Sequence, residues 1–292
     1  MRIGKGYALD FGLRHLEHRP PEIVVMIDAD CRVELGSIAR LAIASSSTGR
    51  PVQALYLMTA PEGSGIGSLI AAFAWRVKNW VRPLGLARLG LPCQLMGTGM
   101  AFPYPVIRKA TLATASLVED LHLGLELAAD GHPPVFCASA LVTSQFAAST
   151  DGAASQRRRW EHGHIVTILQ RGPGLLAKAI ISGNIGLLAL TLDMTVPPLS
   201  LLAMLLGLVI TANAVSALLG FGSIALIISA VSFASFVACV ILAWAKFGRD
   251  ALPTSGIWSI PFYILSKLGL YGQLLGGRST TRWVRTDRGS GQ

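Results

Sequence analysis

Charge is in short supply in this chain. Asp, Glu, Lys and Arg make up only 14% of the 292 residues, against 52% hydrophobic residues, whereas a soluble globular domain carries roughly a quarter charged. That scarcity excludes an ordinary soluble enzyme as a description of the whole chain. Cysteine is scarcer still: Cys31, Cys93, Cys137 and Cys239 show no paired spacing, which excludes a disulfide framework or a zinc ribbon and agrees with a reducing cytoplasm. Gly63-Ser64-Gly65-Ile66-Gly67 lacks the Lys-Ser or Lys-Thr of a phosphate loop and reads as a flexible loop. No internal repeat is visible. The formal net charge is +9, but no nucleic-acid motif accompanies it, so nucleic acid is not expected as a partner. Met1 leads directly into a glycine-rich polar segment, and no cleavable leader is expected.

The apolar excess is concentrated toward the C-terminus. Val196 to Leu219 holds no charge and is long enough to cross a hydrocarbon core as a helix, as is Ile224 to Ala245. Gly220-Phe221-Gly222-Ser223 is the expected turn, and Pro197 and Pro198 fit the first turn of the first span. That turn carries no Lys or Arg, whereas Lys246, Arg249, Arg278, Arg282, Arg285 and Arg288 follow the second span. Positive residues stay inside, so both termini are expected in the cytoplasm. Trp258 to Leu275 is apolar but carries Lys267, Pro261 and several glycines; it reads as an interfacial or re-entrant helix, with a third span as the alternative. Gly172 to Leu192 reads as an interfacial helix or an early start to the first span. Leu69 to Leu89 mixes Phe73, Trp75, Trp80 and Leu84 with Arg76, Lys78, Arg82 and Arg88, which suits either a basic interface helix or packing on a core.

Three polar motifs precede the apolar third. Asp28-Ala29-Asp30 follows Ile23-Val24-Val25-Met26-Ile27, an apolar run that reads as a buried parallel strand, which puts both carboxylates at its C-terminal end, where open α/β sheets bind ligands. Two carboxylates one residue apart supply the oxygen ligands that Mg²⁺ or Mn²⁺ prefers, leaving positions open for phosphate oxygens. Glu119-Asp120 heads a helical pattern through Leu123, Leu125, Leu127 and Ala128; Asp120 is the candidate general base, and plain capping of the helix is the competing reading. Gln156-Arg157-Arg158-Arg159-Trp160 offers guanidinium groups that fork onto phosphate oxygens beside an indole that can stack on a sugar ring. Alone, it reads equally as a basic helix start on anionic lipid. His162 and His164 lie close enough in sequence to reach an acceptor or to serve a surface role, and His122 is expected to hydrogen-bond locally.

With the three motifs in this order, the chain resembles a membrane-integrated family 2 glycosyltransferase of the cellulose, hyaluronan and chitin synthase type, over nearly its whole length. The resemblance implies that Asp28 and Asp30 hold metal and nucleotide and that Glu119 and Asp120 form the motif carrying the catalytic base. It also implies that Gln156, Arg157, Arg159 and Trp160 contact the diphosphate and the acceptor sugar. Gly97-Thr98-Gly99-Met100-Ala101-Phe102 resembles the glycine-rich segment beside the acceptor, so Gly97, Thr98 and Gly99 join the substrate-binding set. Lys5, in Gly4-Lys5-Gly6-Tyr7-Ala8-Leu9-Asp10, is placed beside the diphosphate. Trp283-Val284-Arg285-Thr286-Asp287-Arg288 resembles a segment that closes over the nucleotide, with a lipid-held basic tail as its rival. In the family a nucleotide-binding βαβ half precedes the Gly4-Lys5-Gly6 segment, so the chain is expected to be N-terminally truncated.

The expected architecture is α/β: a partial GT-A-like (Rossmann-like) catalytic domain over 1–160, an interfacial helix region over 161–195, two transmembrane helices over 196–245, and an interfacial helix with a basic cytoplasmic tail over 246–292. The resemblance implies inverting transfer of a sugar from a nucleotide-diphosphate donor, UDP-linked, to a growing exopolysaccharide at a bacterial-type inner membrane. Mg²⁺ or Mn²⁺ is the expected cofactor. Expected partners are the donor, a polysaccharide or lipid-linked acceptor, membrane lipids, and a second copy or an export partner. A single-transfer lipid-carrier enzyme and an inactive truncated relic are the alternatives.

Overall fold

A computed structural model describes residues 4–113, 118–147 and 150–275. The basic tail with Arg278, Arg282 and the Trp283–Arg288 motif lies outside them. Some helical side chains do as well, those of Arg157, Arg158 and Arg159 among them. The described residues divide into two compact units, one drawn from 4–61 and 78–195, the other from 62–77 and 196–275.

The first unit is built on a five-stranded mixed sheet. In chain order its elements are α1 (Lys5–His15), β1 (Ile23–Met26), β2 (Arg32–Val33), α2 (Ser37–Thr48) and β3 (Val52–Thr59). Helix α3 (Ile66–Arg76) belongs to the second unit. A π turn (Val77–Val81) leads into α4 (Arg82–Arg88), then β4 (Met100–Pro103), α5 (Tyr104–Ile107), α6 (Glu119–Ala129), β5 (Val135–Gln145), α7 (Thr150–Ile181) and α8 (Ile185–Thr195). The strand order is β1-β4-β3-β5-β2. Only β3 and β5 run parallel, and their register shifts between Ala54 and Leu55. Strand β3 is central, so its residues from Val52 to Met58 are all buried.

β1 departs from the sequence expectation. It is not a buried parallel strand: it stands at the sheet edge, antiparallel to β4, with Ile23 opposite Pro103 and Met26 opposite Met100. Only Met26 is buried. An apolar β-branched run reports that a strand packs somewhere; it does not encode the direction of its neighbour. The carboxylates nevertheless follow its C-terminal end.

Helix α6 is fixed by burial on two sides. Leu123 and Leu127 pack with Met26, Met100, Phe102 and Leu13, while Leu121, Leu125 and Ala128 pack with Leu187, Leu190 and Met194. Each leucine so buried contributes about 1.5–3 kcal/mol. Asn184 caps α8, accepting the Leu187 N–H at 2.8 Å and donating to the Ala128 carbonyl at 2.8 Å. Arg82 ties α4 to α8 through Asp193, with Nη2 at 2.5 Å from Oδ1 and 2.6 Å from the Asp193 carbonyl.

Several apolar stretches divide where periodicity suggested one helix. Gly172 to Leu192 is the end of α7 and most of α8, interrupted at Ser182-Gly183-Asn184 because Gly183 takes φ +62°. Leu69 to Leu89 is α3, the π turn and α4. Of these, Trp80, Leu84 and Ala87 pack on Leu55, Leu57, Cys93 and Phe136, so that part follows the core-packing reading. The Gly63–Gly67 loop is shorter than expected, since α3 already begins at Ile66.

In the second unit, α9 (Leu199–Leu218) and α10 (Ile224–Phe247) are joined by the expected turn at 219–223. Pro198 is the residue before the helix and not within its first turn. Both helices are long and apolar enough to cross a membrane, with mean hydropathies of 2.2 and 2.6, and their apolar windows are 0% and 6% buried. A core helix of a soluble protein would be mostly covered, and twenty residues reach about 30 Å, the hydrocarbon thickness. Trp258 to Leu275 holds no single long helix: after α11 (Thr254–Ile257) come α12 (Ile260–Ser266) and α13 (Leu268–Leu275), both too short to span. Trp258 and Phe262 are 80% and 75% exposed. Arg76 holds Asp250 through two bonds at 2.6 and 2.7 Å.

Candidate active site

The Asp28-Ala29-Asp30 turn is closed by the Cys31 N–H, which donates to the Asp28 carbonyl at 3.0 Å. Thr98, fully buried, holds it from the other side: its Oγ1 accepts the Asp28 N–H at 2.9 Å and donates to Cys31 Sγ at 3.5 Å. Lys5, the first residue of α1, places its Nζ 2.6 Å from Asp28 Oδ1 and donates to the Gly97 carbonyl at 2.5 Å. Three segments far apart in sequence thus meet at one ammonium.

The glycine segment makes this approach possible. Gly97 sits at φ +88°, and a Cβ there would lie 3.3 Å from Asp120 Oδ2 and 3.7 Å from Lys5 Nζ. The missing side chain is the space in which the base candidate and the lysine converge. Gly99, at φ +65°, serves the sheet instead, since its Cβ would fall 2.9 Å from both Ala54 Cβ and Val142 Cγ2. Lys5, Gly97, Glu119 and Asp120 line a pocket together with Leu9, Met100, Leu112 and Leu123.

Glu119 and Asp120 are the first two residues of α6, and Val118 before them offers no side-chain cap. The helix dipole favours acids at this position. Both keep some surface open to solvent, yet protein crowds them. Burial raises the Asp120 carboxyl above the ordinary aspartate range, with Lys78, backbone N–H groups and Lys5 pulling it back. Glu119 is likewise raised, by burial first and by the neighbouring Asp120 charge second. Lys78 is lowered by burial and held up by Asp120. Its side chain is exposed by area, yet the protein around the ammonium disfavours the charged form.

Asp28, Asp30 and Cys31 bring their ligand atoms within 4.8 Å of one another. Two carboxylates and a thiol are donors that suit a divalent cation, so the residues fit such an ion. Sequence reasoning named both aspartates and passed over Cys31 because cysteine was tested only for pairing with other cysteines. Lys78 was also missed as a neighbour of the candidate base, for no motif joins it to Asp120. The remaining candidates lie on α7. Gln156 is buried, its Oε1 without a donor among the described residues, and Trp160 is half-buried. His164 bonds the Met194 carbonyl at 2.8 Å. His122 bonds across to Thr167 at 3.1 Å, and burial pushes it down to about 4.

A mixed sheet, a lysine paired with Asp28 and an acidic pair at a helix head beside a pocket bring cationic and acidic groups together in one candidate site. Residues 2–163 match the family described as glycosyltransferase like family 2. That is more than half the chain, and the chain belongs to this family. It is a glycosyltransferase, which acts on a nucleotide-sugar donor and an acceptor. No curated protein matches it significantly.

Proposed function

We propose that this glycosyltransferase transfers a sugar, with inversion, from a UDP-linked donor to a growing exopolysaccharide at a bacterial-type inner membrane, in the manner of the cellulose, hyaluronan and chitin synthases. The catalytic unit works on the cytoplasmic side, where activated sugars are made, and α9 and α10 anchor it. The observation that carries the reading is the convergence of Lys5 and Asp120 on Gly97, with the same Lys5 ammonium paired to Asp28.

In this reading Asp120 takes the proton of the acceptor hydroxyl. The freed oxygen forms the bond to the anomeric carbon from the face opposite the diphosphate. The carbon–phosphate-oxygen bond breaks, and its electron pair leaves with the diphosphate. An aspartate raised by burial suits that proton transfer, because its basicity lies closer to neutrality than that of a free carboxylate. Lys5, Arg157 and Arg159 meet the negative charge of the diphosphate, Trp160 stacks on the acceptor sugar, and Gln156, whose Oε1 has no donor among the described residues, receives a hydroxyl. Asp28 and Asp30 would hold Mg²⁺ or Mn²⁺, which when bound supplies Lewis-acid neutralisation of the leaving group. Two helices give a thin path for a polymer, so export calls for a second copy or a partner.

The test is transfer of label from UDP-sugars in membranes containing the chain, followed by sizing of the product. A labelled polymer lost in Asp120→Asn is the expected result. A product one sugar longer than a lipid acceptor would replace the polymerase reading with single transfer, and full turnover in Asp120→Asn would remove the base assignment.

A further inference from the structure

We propose that the segment from Trp258 to Leu265 is a membrane-contact surface of the second unit, laid in the boundary between head groups and acyl chains of a phospholipid leaflet with Trp258, Phe262 and Leu265 inserted. The inference rests on the reading of α9 and α10 as membrane spans and goes beyond it by adding a third, shallow contact. Helices α11 and α12 are joined through Trp258 and Ser259, both in right-handed helical conformation, so residues 258, 262 and 265 follow one another at helical spacing along one face. They are 80%, 75% and 58% exposed. The opposite face carries the polar groups. Tyr263 lies against α3, where a Cβ on Gly67 would fall 3.5 Å from its ring. Lys267 is buried with its ammonium 5.5 Å from the Tyr263 ring centre, and the buried Tyr271 shares a hydrogen bond with Ser200 at 2.8 Å. A helix on a water-facing surface has the reverse pattern, with its polar side chains outward and its apolar ones inward.

The position of this face within its own unit argues for lipid as the occupant. The Ser200–Tyr271 bond fixes α13 to the first turn of α9, and Trp244 Nε1 donates to the Leu252 carbonyl at 2.8 Å, which fixes the start of the segment to the last turns of α10. Arg76 of α3 bonds the Phe247 carbonyl at 2.9 Å as well as Asp250, so the segment is braced against turning its apolar face inward. Helix α9 begins and α10 ends at this level, and it is where Lys246 and Arg249 stand exposed. The apolar face therefore continues the uncovered surface of the two long helices. It does so at the depth where lysine and arginine meet lipid phosphates and tryptophan settles between the acyl chains and water.

The experiment uses the unmodified full chain in vesicles of phosphatidylcholine and phosphatidylglycerol, with two probes read by mass spectrometry: hydroxyl radicals generated in the water, and a diazirine carried on a phospholipid acyl chain. Phe262 is compared with Phe11 on α1, the same residue type at 76% exposure, so a difference between them reports surroundings and not reactivity. Phe11 is expected to oxidise and Phe262 to lose its oxidation, while the diazirine labels residues 258–265 as well as α9 and α10. If α9 and α10 are labelled but Phe262 oxidises as readily as Phe11 and 258–265 take no label, the contact is overturned and the spans stand. Phe262 shielded from water yet unlabelled from the lipid would assign the face to a second copy or another protein, and would overturn the proposal as well. If α9 and α10 take no label either, the membrane reading falls with it.

Discussion

The ammonium of Lys5 joins the Asp28 carboxylate, at 2.6 Å, to the carbonyl of Gly97, at 2.5 Å. Both partners of the ion pair keep about a third of their side-chain surface open, and pairs so exposed contribute only ~0–1 kcal/mol to folding. A purely structural bridge would therefore be a poor use of a lysine that reaches across the site. Lys5→Met is expected to leave thermal stability nearly unchanged while weakening UDP binding, measured calorimetrically at fixed Mn²⁺, by about tenfold or more. Unaltered UDP binding with a lowered melting temperature would make Lys5 a structural residue.

The two glycines flanking Thr98 should fail in different ways. Both have positive φ, so an alanine at either position costs roughly 1–2 kcal/mol in backbone strain. Beyond that, a Cβ at Gly99 strikes packed sheet side chains at 2.9 Å, whereas one at Gly97 meets Asp120 Oδ2 and Lys5 Nζ. Gly99→Ala is expected to lower the melting temperature sharply. Gly97→Ala is expected to lose far more turnover than stability. Equal losses in both measures for the two variants would contradict the division of labour.

What the sequence made legible follows from how local each signal is. The DxD turn, the acidic helix head and the two long apolar helices are each written in a few contiguous residues, and each stands at or near where it was expected. The edge position and antiparallel pairing of β1 were not legible, because they depend on β4, some 75 residues later in the chain by the Val25–Ala101 pairing. Cys31 and Lys78 were missed for the same reason. Thr98 turns Cys31 toward the aspartates, and the π turn that brings Lys78 toward Asp120 has no composition of its own. The break at Gly183 was hidden because one φ value, not a change in hydropathy, ends α7.

Asp120 gives a prediction in which stability and turnover move in opposite directions. Its carboxyl is raised by burial, so the folded chain binds its proton more tightly than the unfolded chain does. The sign follows: the fold loses stability as pH rises through the unfolded aspartate range, and ionised Asp120 is a net cost near neutrality. Asp120→Asn is expected to hold or raise the melting temperature at neutral pH while lowering turnover by about 10²–10⁴. If the acid served only as a partner of the helix dipole, its removal would cost about 0.3–1 kcal/mol and leave chemistry intact. The same charge logic fixes the pH profile. Turnover should fall as pH drops through the raised Asp120 value, and Lys78→Gln, by removing a cation that favours ionisation, should move that acid limb to higher pH. A limb that stays in place would separate Lys78 from the base.

The turn between α9 and α10 decides which side of the membrane the chemistry faces. Both helices are almost wholly uncovered by protein along their apolar windows, and the turn itself, Gly220 to Ser223, holds no charge, while Lys246 and Arg249 lie at and just beyond the far end of α10. Basic residues near a span resist translocation, so the uncharged turn should be the part that crosses. Labelling with an impermeant thiol reagent in intact cells should modify a cysteine introduced as Ser223→Cys and spare one introduced on the catalytic unit as Ser47→Cys, an exposed site on α2. After the cells are opened, both should react. The reverse pattern would put the catalytic unit outside, away from the cytoplasmic supply of nucleotide sugars, and would remove the inner-membrane polymerase reading with it.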